Sequence, residues 1–181
     1  AIAITDDGWG VKYEKAQDAL FAACAEHNLL FQQHAEMHGH KGVTPAGPFQ
    51  RAQGLPEYPR TAESDMIKRD ISLLKRNPGA RYHVLHVSTR ESLAEIRKGK
   101  DLGLKVTAEV TPHHLIFSNE DIPDAADPLC TYFKMNPPLF SPDDREALRE
   151  ALRDGTIDCV STDHAPHEDE LKAKGWLLAP F

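Results

Sequence analysis

Cysteine is scarce in this sequence: three residues in 181, at Cys24, Cys130 and Cys159, with no C-x-x-C spacing. An odd and scattered set excludes a disulfide scaffold and a zinc ribbon, and it fits a reducing compartment. Long apolar runs are missing as well, so no segment approaches the roughly 20 residues that a membrane helix needs. Positive charge is in deficit, with 21 Lys and Arg against 28 Asp and Glu and a formal net charge of −7. That balance argues against affinity built on phosphate neutralisation, and so against a nucleic-acid partner. The opening residues AIAITDDGWG carry no basic leader and no cleavage pattern, and the expected location is the cytoplasm. An initiator Met is absent too, and the chain opens directly on an apolar run, so it is expected to begin inside a fold.

What is present is a globular composition, 40 % hydrophobic and 27 % charged, with no internal repeat or low-complexity tract, and it reads as one domain over 1–181. Short β-branched runs at 1–5, 28–33, 81–87, 104–110 and 156–161 predict strands. Helical periodicity fills two of the gaps. Residues 12–26 place Ala16, Leu20, Phe21 and Cys24 on one face, and 62–75 place Met66, Ile67, Ile71 and Leu74 on another. Ser88-x-x-Glu91 has capping-box spacing, Ser141 precedes Pro142 with Asp144 at the third helical position, and Gly103 and Gly155 stand where helices should stop. Alternating strand and helix predicts an α/β fold with a parallel sheet, open or closed into a barrel. The stretch 38–60 is a long Gly/Pro-rich connection, a length that in compact domains is more often functional than idle.

The strand tips carry the chemistry. Thr5-Asp6-Asp7-Gly8 follows the first run, His34-Ala35-Glu36 the second, His86-Val87-Ser88 closes the third, Met135-Asn136-Pro137-Pro138 lies beyond the fourth, and Asp163-His164-Ala165-Pro166-His167 follows the fifth. Taken singly these are bland: a histidine after a strand is usually a satisfied loop residue, His86 could be paired in the core, and Asp-Asp-Gly is usually a turn. Together they deliver imidazoles and carboxylates to one rim, which is the ligand chemistry of a hydrolytic zinc site. His38-Gly39-His40 also has ligand-like spacing, but it sits in the long loop with no strand leading into it, and it reads as a solvated or substrate-facing segment.

In order and rough spacing, ITDDG, QHAE, HVLHVST, VTAEVTPHHL, KMNPPL, STDHAPH, KAKGW and APF resemble the second half of class I dihydroorotase, a branch of the amidohydrolase superfamily. The resemblance implies a (β/α)₈ TIM barrel, with the five strands here as the fourth to eighth. It implies two zinc ions, with Asp7 rather than Asp6 as the bridging carboxylate, His34 and His86 on the second zinc, and Asp163 on the first zinc as catalytic acid/base. Asn136 and His167 are implied as contacts to the substrate, dihydroorotate or N-carbamoyl-L-aspartate. A homodimer, with aspartate transcarbamoylase as a possible larger partner, also follows from the family.

The family's H-x-H-x-R of the first strand has no counterpart in this sequence, nor has the Asn of an early strand, and a barrel cannot close on five strands. The chain is therefore expected to be a piece of an enzyme, inactive and self-associating when alone, with Leu30, Leu85, Val110 and Val160 as barrel-filling side chains deprived of partners. Rival readings are another cyclic-amide hydrolase, a hydantoinase or an allantoinase, and a non-catalytic dihydroorotase-like scaffold.

Overall fold

A computed structural model describes residues 1–6 and 8–181. Its centre is a parallel sheet of five strands in sequential order: β1 (Ala3–Thr5), β2 (Leu30–Gln33), β3 (Arg81–Val84), β4 (Val106–Val110) and β5 (Cys159–Val160). All five predicted strands form, each shorter than its apolar run. Adjacent strands are parallel throughout, so every connection must cross over one face, and the helices that do so are α1 (Glu14–Glu26), α3 (Ala62–Leu74), α4 (Arg90–Asp101) and α6 (Pro142–Arg153). Shorter helices α2 (Pro48–Gln53), α5 (Pro112–Ile116) and α7 (Asp169–Lys172), with a 3₁₀ turn at Cys130–Phe133, lie in the connections, and α2 falls within the stretch predicted as loop. Among the described residues no helix is long and apolar enough to cross a membrane.

The register decides which side chains meet the helices. Phe31 pairs with Tyr82 and Val84 with Ala108, and these, with Val106 and Val110, are buried among Phe21, Met66, Ile67, Leu93, Ile96 and Leu148 of the helices. Burying a Leu, Ile or Phe side chain contributes about 1.5–3 kcal/mol, so this layer dominates the stability of the fold. Strand alternation sends Leu30, Gln32, His83, Thr107, Glu109 and Cys159 to the other face. Of the side chains expected to fill a barrel, Leu30 lies on the face opposite the helices, whereas Val110 packs in the helical layer and its register partner Val160 stands on that same face, against expectation for both. Leu85 lies beyond the end of β3. The face opposite the helices is largely polar.

Two details of helix chemistry depart from expectation. On α1 the buried residues are Gln17, Phe21 and Cys24 while Ala16 is exposed, because the helix turns a slightly different stripe inward. At α4 the N-cap is Thr89, whose hydroxyl accepts from the Ser92 amide. Ser88 is drawn away by the buried Glu63 carboxylate, and Glu91 is held by Arg60 at 2.7 Å, so the Ser88–Glu91 box does not form. The box at Ser141 and Asp144 does form, and Gly103 and Gly155 follow their helices at φ +69° and +79°. Arg60 also reaches Asp144 at 2.6 Å, tying the loop before α3 to the starts of α4 and α6.

Candidate metal and substrate site

His34 leaves the end of β2 with its ring buried. Its Nδ1 lies 3.0 Å from Nε2 of His86, and its Nε2 lies 3.0 Å from the Glu36 carboxylate. A carboxylate accepts only, so Nε2 of His34 carries a proton, and its Nδ1 is directed at His86. His86 is held well below the usual histidine range by burial, with the adjacent His34 adding to the effect, and is therefore a neutral imidazole. Its Nδ1 has no hydrogen-bond partner on another residue. Two buried imidazoles with facing nitrogens suit a borderline metal ion, and a carboxylate behind one of them is the usual means of fixing its orientation.

The backbone supports this placement. His86 is at φ +33°, a left-handed conformation that a histidine adopts only at a cost of order 1–3 kcal/mol. Ser88 and Thr89, just beyond it, are locked by Glu63, which accepts from both backbone amides at 3.0 to 3.2 Å and from both hydroxyls. The His34 amide donates to the Asp6 carboxylate at 3.2 Å. Gly10, at φ +62°, packs so closely that a Cβ there would stand 2.9 Å from the His34 carbonyl oxygen.

Glu36 is the residue that sequence reading missed. Besides His34 it accepts from Asn136 Nδ2 at 2.8 Å, and its other oxygen lies 3.0 Å from His40 Nε2. Burial would raise its pKa, but these partners outweigh that effect and the carboxyl is lowered below its ordinary range. The available signal was period two: His34 and Glu36 are two residues apart on extended chain, on one side. His40 belongs to this network through Glu36, whereas His38 Nε2 is spent on the Gly10 carbonyl. Neither has a position beside the His34 and His86 nitrogens comparable to that of Glu36.

Asn136 connects this cluster to a cleft of about 1000 Å³ whose lining includes His113, Met135, Asn136, Asp163 and His167. Its Oδ1 is buried without a partner and is therefore available to a ligand. Asp163 sits at φ +48°, the second strained position in the site. Three predicted residues, Asn136, Asp163 and His167, thus share one cleft, and Asn136 joins it to His34 and His86. Asp7 lies outside the described residues.

The cleft wall is braced by His114. It accepts from the Thr111 hydroxyl at 2.7 Å and donates from Nε2 to the Pro137 carbonyl at 3.1 Å, next to Asn136. Burial drives its pKa down to about 3 and that of neighbouring His113 down to about 4. Because the folded value of His114 lies below the unfolded value near 6.5, the unfolded chain takes up protons first as pH falls. Stability is therefore full above pH 6.5 and declines towards pH 3, by about 1.4 kcal/mol per pH unit from this residue. Urea midpoints between pH 7 and pH 5 should fall for the native chain and fall less steeply for His114→Gln. Equal slopes would assign the acid sensitivity elsewhere.

Comparison with known proteins decides the family. No protein-family model matches the chain. Over all of its length, however, the chain is 47 % identical to the dihydroorotase of Bacillus licheniformis. The matched stretch is a dihydroorotase-family sequence. This dihydroorotase-family chain spans 42 % of the length of that relative. Among solved structures, D-hydantoinase from a Bacillus sp. AR9 superposes with a TM-score of 0.81 at 22 % identity, over 99 % of this chain and 42 % of that one. The dihydroorotase of Saccharomyces cerevisiae in complex with 5-fluoroorotic acid gives 0.72 at 22 % identity, over 98 % and 50 % respectively. Likeness at these identities concerns the fold.

Proposed function

We propose that this chain is the part of a zinc-dependent dihydroorotase that holds one metal by His34 and His86 and binds substrate in the adjoining cleft, within a (β/α)₈ barrel. The observation that carries the reading is the 3.0 Å approach of His34 Nδ1 to His86 Nε2, both rings buried and His34 backed by Glu36. The donor set fits the group: two buried imidazole nitrogens 3.0 Å apart, one ring backed by a carboxylate, would suit a zinc ion. Asp163 and Asp7 are the proposed carboxylates of a second zinc. Bound metal lowers the pKa of water and polarises a carbonyl oxygen.

The chain's own residues do the rest. Glu36 keeps the His34 proton on Nε2. Asp163 accepts a proton as water adds to the ring amide carbon of dihydroorotate, and delivers it to the ring nitrogen as the carbon–nitrogen bond breaks, yielding N-carbamoyl-L-aspartate. The unpaired Oδ1 of Asn136 accepts from a ring N–H, and His167 reads the substrate carboxylate. The cleft wall at 112–117 and 132–135 orients the ring and limits water to the reacting face.

The test is zinc analysis with ring-opening assays on dihydroorotate and hydantoin in parallel, using the stretch within the full length of its relatives. Dihydroorotate turnover with bound zinc is expected. Preference for hydantoin, or less than one zinc per chain and no turnover after zinc addition, overturns the reading.

A further inference from the structure

A second cluster lies on the polar face of the sheet. The register pairs Glu109 with Cys159 and His83 with Thr107, and alternation along β4 puts all four side chains on one face of three adjacent strands. One ligand atom from each of His83, Glu109 and Cys159 lies within 4.8 Å of the other two, and His83 Nε2 stands 3.0 Å from Glu109 Oε2. His83 and Glu109 are buried, while Cys159 is a free, exposed thiol. The rim pair contributes none of these groups. His86 is three residues beyond His83, at most about 10 Å of extended chain away.

We propose that His83, Glu109 and Cys159 form a thiolate-containing site for a zinc-type divalent cation, which clips β5 to β3 and β4. The orientation is already set. Nδ1 of His83 lies 2.7 Å from Thr107 Oγ1, a hydroxyl that can either donate or accept, so Nε2 is left directed at Glu109. The Nε2–Oε2 contact needs one proton between the two atoms, and a cation takes that proton's place. Cys159 supplies the third ligand by losing its thiol proton, so binding a divalent ion releases at least that proton.

The donor set selects the metal. One nitrogen, one carboxylate oxygen and one thiolate suit zinc or cobalt and disfavour magnesium or calcium, and three protein ligands leave a fourth position for solvent. The clip also has something to hold, since β5 is only two residues long. Its sheet bonding rests on the pairs Glu109–Cys159 and Val110–Val160.

Cobalt titration of the reduced, metal-free 181-residue chain tests the proposal. A near-ultraviolet thiolate-to-cobalt charge-transfer band of the intensity of one thiolate–cobalt bond per chain is expected, together with release of protons into weakly buffered solution. Cys159→Ser, a substitution at an exposed position, should abolish the band. Glu109→Gln should weaken cobalt binding at least tenfold, and His34→Ala should leave the band intact. That last variant separates this site from the rim pair, whose imidazoles give no thiolate band. Absence of the band in the native chain, its persistence in Cys159→Ser, or its loss in His34→Ala would each overturn the assignment.

Discussion

Asp163→Asn, in a chain carrying this stretch within the full length of its relatives, is expected to lower dihydroorotate turnover by roughly 10²-fold to 10⁴-fold, the usual cost of losing one proton-transfer group. The amide matches the carboxylate in size and keeps one oxygen, but it can neither accept the proton from water nor hand it to the ring nitrogen. Because Asp163 sits in an exposed stretch of the cleft at φ +48°, a conformation Asn also tolerates, the fold should be unaffected. Circular dichroism and the urea midpoint check that point. His38→Ala is the control, since its ring nitrogen is committed to the Gly10 carbonyl away from His34 and His86. It should cost far less, and equal losses in the two variants would remove Asp163 from the proton-transfer role.

The second large effect is on stability. Glu63→Ala should destabilise the 181-residue chain by about 2–5 kcal/mol, because it strands the Ser88 and Thr89 backbone amides in the interior, at about 1–3 kcal/mol for each unpaired group. Glu63 is fully enclosed, and burial raises its pKa despite the donors around it. Glu63→Gln retains one acceptor oxygen and should lose less than half as much. The strained turn at His86 immediately precedes these amides, so the alanine variant should also weaken zinc binding by the rim pair. Urea unfolding with and without zinc, in a Cys159→Ser background that removes the other proposed site, measures both. A loss below about 0.5 kcal/mol would show that the turn is held by something other than Glu63.

The separation between what could be read from sequence and what could not follows the range of the interactions. Strand and helix order, the Ser141 box and the buried stripe of α3 depend on contacts within a few residues, and period and capping chemistry report those directly. The failed Ser88–Glu91 box shows the limit. Its spacing is right, but Glu63 and Arg60, 25 and 31 residues away, compete for the same side chains with buried, charge-assisted bonds. Val110 makes the same point for strands: its apolar character was legible, but the side of the sheet it faces was fixed by where the helices pack.

For the candidate site, the sequence by itself determined which residue types stand at the strand ends, because parallel strands joined by crossovers must deliver those ends to one edge. That placed His34, His86, Asn136, Asp163 and His167 on a common rim before any distance was known. Only the tertiary structure decided that His34 Nδ1 faces His86 Nε2, that Glu36 stands behind the first ring, and that His83, Glu109 and Cys159 meet on the polar face. The physical reason is that an imidazole or a carboxylate changes its chemistry over an ångström or two, through one hydrogen bond or the loss of water. Partners at that range come from strands tens of residues apart, joined through register and twist rather than through sequence spacing.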